Sequence, residues 1–346
     1  MKRTRDGFSI FTYIVLTVLM FLTLVVCVSV GSVQVPFRDT VRVIAAQIRG
    51  VKAPADIAYP TIISAVRLPR VLCAALTGAA LSLCGGAMQG LIRNPLADGS
   101  TLGVSGGASL GAVLAIAFGI TVPGLPFAGT VAMAMLFAFL SLLIILFLAY
   151  RLDCSLSTNT IVLIGVVYSM FTSSAMSVVI TFTSEKIKQI TFWTMGSLSG
   201  STYVNALTLF AALVVFGGLI MMCARELNAF AIGEDNAKHI GVNVKRVKLI
   251  VLVSVAGLIG VCVSIGGTIG FVGLITPHIL RMIVGPNHKR LLPACAFGGA
   301  IFLMLSDLAA RTVFSPLELP VGVVTSLIGA VVFVYIFAAS RRKGRA

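Results

Sequence analysis

The chain has 346 residues, of which 58% are hydrophobic and 11% charged, with a formal net charge of +15. Soluble domains average about 45–50% apolar and about 25% charged residues, so a water-soluble fold is excluded, and continuous apolar runs exclude a membrane β-barrel, whose strands alternate. The lysines and arginines lie between the apolar runs, which sets nucleic acid aside as a partner.

In chain order, runs close to the ~20 residues that cross a hydrocarbon core predict ten spans: 10–30, 71–92, 101–120, 128–150, 160–182, 203–223, 247–265, 269–284, 291–313 and 321–339. The first is too long, and lacks a small-residue cleavage site, for a removed signal peptide. An outer loop over 31–69 then ends in "SAVRLPRV", with Arg67 and Arg70 at the mouth of the second span and Pro69 in its first turn, where no amide bond is lost. Read alone, this pair either snorkels to lipid phosphates or recognises a partner. In the third span, Gly103, Gly107 and Gly111 fall four apart on one face, the spacing that lets helices approach closely in a bilayer. The eighth span is short and interrupted by Gly273 and Pro277. In the ninth, Asp307 stands four residues before Arg311, which reads as an ion pair on one helix face. A weak echo between residues 78–95 and 260–277 is compatible with an inverted repeat.

Ten spans put both termini on one side. "MKRTR" opens the chain and "RRKGR" closes it, so both are expected in the cytoplasm, and 17 Lys/Arg then fall inside against 9 outside. The longest inner connection, 224–246, contains "LNAFAIGEDNAKHIGVNVKR". Gly233 and Gly241 break it into one short helix, a turn and another, with Glu234 and Asp235 where the helix dipole favours them. It reads either as a docking element or as a solvated loop helix.

Chemistry is sparse. Seven cysteines are scattered without Cys-x-x-Cys, which suits small apolar fillers. His239, His278 and His288 lack a second ligand at metal spacing. There is no Walker A motif, and Asp307 is the one plausible intramembrane carboxylate. The chain is therefore expected to carry no active site, metal or ATPase of its own. A self-energised secondary transporter remains the alternative class, disfavoured because such proteins place ionisable groups at mid-membrane.

"RLPR", "GGAMQGLIRNPLADGSTLGVSGGASLG", "LNAFAIGEDNAKHIGV", "GFVGLITPHILR" and "ELPVGVVTSLIGAVVF", in that order, resemble the FecCD family, the permeases of type II ABC importers for iron–siderophore complexes, haem and cobalamin. The resemblance implies an all-α bundle of about ten transmembrane helices per protomer, like a cobalamin-importer permease, in one domain over 1–346, multi-pass in the cell membrane. It implies a second permease copy or paralogue, two cytoplasmic ABC ATPases that hydrolyse the ATP, an extracytoplasmic binding protein above and lipid around, with no cofactor on this chain. Gly233, Glu234, Ala237 and Gly241 match the family's coupling-helix pattern. Thr158 and Asn159 match an inner gate, and Trp193, Gly196 and Ser197 match an outer pathway segment. For Trp193 the alternative is an interfacial anchor. Trp-x-x-Gly-Ser-Leu favours an iron–siderophore chelate over haem or cobalamin as cargo. Arg67 and Arg311, with Arg70 adjacent, match positions that dock the binding protein.

Overall fold

The apolar runs fold as helices in a computed structural model that describes residues 10–31, 35–51, 60–122, 128–153 and 157–343. In chain order they are α1 (Ile10–Ser29), α2 (Phe37–Ile48), α3 (Ile62–Ile92), α4 (Val104–Phe118), α5 (Ala128–Leu152), α6 (Thr158–Phe182) and α7 (Ile187–Thr194). There follow α8 (Tyr203–Met222), α9 (Ala224–Phe230), α10 (Glu234–His239), α11 (Val244–Gly266), α12 (Val272–Val284), α13 (His288–Thr312) and α14 (Val321–Lys343). Among the described residues seven are long and apolar enough to cross a membrane, and α4, α12 and the Val321–Tyr335 part of α14 supply shorter apolar stretches. Together these match the ten expected spans. The basic residues at the start of the chain, and Arg345 at its end, lie outside the described residues, while Arg341, Arg342 and Lys343 close α14.

Two elements depart from the sequence reading. The loop before the second span contains α2, an amphipathic helix that buries Thr40, Val43 and Ala46 and exposes Phe37 and Val41. The second span also starts nine residues early, so Arg67 and Arg70 belong to α3 and not to its mouth. Pro69, expected in a first turn, sits inside this helix. Proline has no amide to give, and the preceding turn, Ile62–Arg67, widens to π-helix so that the Leu68 amide bonds Ile63 O instead.

α3 and α11 form the centre: 78% of their apolar stretch is buried, against 22% for α6. α3 lies along α13, where glycines replace side chains. A Cβ on Gly78 would stand 2.2 Å from Gly299 O, and one on Gly299 would stand 2.2 Å from Gly78 O. The glycine face of the third span packs α4 on α5, where a Cβ on Gly111 would meet Met133 O at 2.3 Å and one on Gly107 would meet Ser141 Oγ at 1.6 Å. Gly103 instead caps the start of α4. At about 1.5 Å per residue, α4 and α12 fall short of a hydrocarbon core about 30 Å thick. Irregular backbone precedes each of these helices, a form tolerated at membrane depth only where protein or a water-filled cavity surrounds it.

Candidate functional site

On one face of the bundle the chain leaves α8 through α9, turns at 231–233 and forms α10, the helix–turn–helix expected of this connection. Gly233 and Gly241 frame α10 at φ +111° and +90°, a region that costs L side chains strain. Ala237 is fully buried and fixes α10 to the bundle. α9 is fastened through Asn228, whose Nδ2 donates to Asn287 Oδ1 (2.9 Å) and whose Oδ1 accepts from the His288 backbone amide (2.8 Å) at the start of α13.

Glu234 gathers three helices. One carboxylate oxygen accepts from Thr158 Oγ1 at 2.7 Å, at the first residue of α6. The other accepts from Lys248 Nζ at 2.7 Å. Lys248, on α11, is only 2% exposed. Arg93, which ends α3 in a left-handed conformation, adds positive charge nearby. Burial alone would raise the Glu234 pKa, but the hydrogen bonds from Lys248 and Thr158 outweigh it and hold the carboxyl below its ordinary value. Of the expected residues, Thr158 and Glu234 are brought into contact, Gly233 and Gly241 frame the helix, and Asn159 faces outward beside them. Lys248 was missed because "VKRVK" reads as a solvated basic run. Val244, Val247, Lys248 and Val251 nevertheless share one buried helical face, and that spacing was visible in the sequence.

The opposite end of the bundle holds the arginines. Arg70 Nε donates to Asp307 Oδ1 (2.9 Å) and its Nη1 to Glu318 Oε2 (2.8 Å). Arg311 Nε lies 3.4 Å from Asp307 Oδ2, the ion pair read from their spacing. Arg311 also donates to Cys27 O, and Arg67 to Val28 O (3.1 Å) and Ser29 O (2.8 Å). Arg67 and Arg70, expected at the mouth of the second span, are thus drawn into the packed end of the bundle together with Arg311. All three are buried: Arg67 and Arg311 because the last turn of α1 presents carbonyls that need donors, and Arg70 because the carboxylates of Asp307 and Glu318 hold it. Glu318 is the member that solvent reaches. Lys186 does the same for α4, donating to Ile116 O and Ala117 O at 2.8 and 3.2 Å.

Trp193 is half-buried on α7, packed against Val113, Ile116 and Ile190. The turn after it grips the break between α11 and α12. Ser197 N donates to Gly266 O (2.9 Å), Thr268 Oγ1 donates to Thr194 O, and a Cβ on Gly196 would stand 2.4 Å from Thr268 O. Elsewhere on the surface, α6 exposes Ser173, Ser174, Ser177 and Thr181, a run of hydroxyls on a helix long enough to cross the bilayer. The last three return their hydrogen bonds to carbonyls of α6 itself.

Ten apolar helices with a pair of short helices docked on one face define a multi-pass helical membrane protein. The chain belongs to the FecCD transport family, whose sequence model matches residues 18–339, and it is an ABC importer permease. It is 40% identical over 337 residues to the uncharacterised ABC transporter permease protein YvrB of Bacillus subtilis, covering 96% of this chain and 95% of that one. It is 37% identical over 282 residues to the hemin transport system permease protein HmuU of Yersinia pestis, covering 80% and 83%. It is 39% identical over 280 residues to the vitamin B12 import system permease protein BtuC of Citrobacter koseri, again covering 80% and 83%. A solved ABC transporter described as of metal-chelate type, in an inward-facing conformation, superposes with a TM-score of 0.82 at 31% identity, covering 94% of this chain and 99% of that one. Family membership sets the self-energised transporter aside.

Proposed function

We propose that this chain is the translocation subunit of an importer that moves an iron(III)–siderophore chelate into the cytoplasm by alternating access. Two copies pair with their α6 faces toward a shared pathway. Two ATPases seat on the 224–246 loop and hydrolyse the ATP, a binding protein delivers cargo to the opposite face, and both termini lie in the cytoplasm. The observation that carries the reading is the hydroxyl row on α6. Polar groups at membrane depth face a bundle interior or a water-filled cavity rather than lipid, and hydroxyls bind a wrapped chelate weakly enough to release it. Thr158 and Asn159 stand at the inner end of the same helix, and Trp193, Gly196 and Ser197 beside its outer part. On the outer face, docking centres on Arg67, Arg70 and Arg311, with Glu318 as the point a partner reaches first.

The relatives named for hemin and vitamin B12 support those cargoes as a second reading. Reconstitution with the cognate ATPase and binding protein separates them. Ferric siderophore is expected to stimulate ATP hydrolysis and to be taken up, and stimulation by haem or cobalamin without any siderophore effect overturns the chelate assignment.

A further inference from the structure

We propose that α2 lies in the plane of the membrane surface opposite the 224–246 loop, with its apolar edge in the acyl boundary and its arginines on the headgroup phosphates of anionic lipid. The depth follows from α1. Its 20 residues cover about 30 Å at about 1.5 Å per residue, the thickness of a hydrocarbon core, so its last turn ends at the headgroups. Lipid runs along this helix, which exposes Phe11, Ile14, Val18, Phe21 and Leu22. α2 packs on α1 and on the Ile62–Arg67 turn, and Arg67 of that turn bonds the last carbonyls of α1. It is therefore held at the level where α1 leaves the hydrocarbon. At about 100° per residue, the side chains of α2 fall into three sectors. Thr40, Val43 and Ala46 are buried. Phe37 and Val41, 55% and 43% exposed, share the second. Arg38 and Arg49, both exposed, share the third with Arg42, whose guanidinium also stands 3.8 Å from Asp39. A basic sector beside an apolar one is the pattern of a helix that lies in an interface. A bilayer surface offers hydrocarbon and phosphate at adjacent depths and so covers both sectors at once, and a guanidinium fork matches phosphate oxygens.

Both exposed sectors are read in the full-length chain reconstituted in vesicles. A nitroxide at Val41→Cys is expected to be relaxed more by oxygen, which concentrates in hydrocarbon, than by a water-soluble nickel chelate. At Gln47→Cys, exposed on α2 outside the apolar sector, the order reverses. A Val41 label open to the chelate overturns the placement, and one shielded only after the binding protein is added gives the face to that protein and overturns it equally. A bimane at Val41→Cys reads the headgroup, through quenching by brominated phosphatidylglycerol against brominated phosphatidylcholine. With both arginines present phosphatidylglycerol is favoured, and Arg38→Gln and Arg49→Gln each reduce the preference about fivefold. Arg38→Lys with Arg49→Lys retains it, as does Arg225→Gln, exposed on α9. Equal quenching by the two lipids with both arginines present, or a preference that survives the double glutamine variant, overturns anionic lipid as the partner.

Discussion

At Asp307, one carboxylate faces two guanidinium groups in a setting that solvent barely reaches. Removing one member of such a group strands the others, at a cost of about 3–5 kcal/mol. Asp307→Asn is therefore expected to lower the unfolding temperature of the detergent-solubilised protein sharply, and Glu318→Gln, at the solvent edge, far less. Equal shifts in the two variants contradict this account. The glycines of the α3–α13 contact act through shape alone. Gly78→Ala puts a methyl group where Gly299 O stands, and such overpacking costs about 1–3 kcal/mol. Gly200→Ala, with nothing within 4 Å of the added carbon, is the matched control in the same thermal assay.

Among the elements, α10 lends itself to a test by pH. The folded Glu234 carboxyl lies below its ordinary value, so its contacts contribute stability that is fully present above the unfolded pKa, about 4.3. That contribution is lost only as pH falls through the lower, folded value. A carboxyl-carbon NMR titration of Glu234 should show a midpoint below about 4.3, and a midpoint near neutrality rules out the charged contact with Lys248. The sequence displayed this element well because glycines and acidic residues are local signals. It displayed α2 poorly, since that helix alternates polar and apolar residues and never forms a long greasy run. The start of α3 was hidden for a different reason. Pro69 marks a helix beginning in most contexts, and the π-turn that accommodates it depends on bonds no local pattern encodes. The arginines were misplaced because charge suggests solvent, whereas the carbonyls that hold Arg67 and Arg311 belong to a helix about 40 and about 280 residues away.

For the molecule as a whole, the hydroxyl row of α6 makes the pairing of two copies measurable. Ser177→Cys in native membranes is expected to cross-link to its counterpart under mild oxidation, and Leu143→Cys, exposed on α5, to remain monomeric. Equal yields at the two positions dispose of pairing through α6. The native cysteines among the described residues are buried and contribute little background. The fold also sets an order in time. One of the two arginines that cap α1 follows Cys27 by 284 positions. At about 5–20 residues per second, a ribosome needs roughly a quarter of a minute to a minute to reach it. During that interval α1 waits, its final turn held by Arg67 at most, while nearly every other described helix is made behind it. α1 is thus made before the helices that pack on it yet is among the last to be fastened, and a chain that stops short of Arg311 leaves it undone.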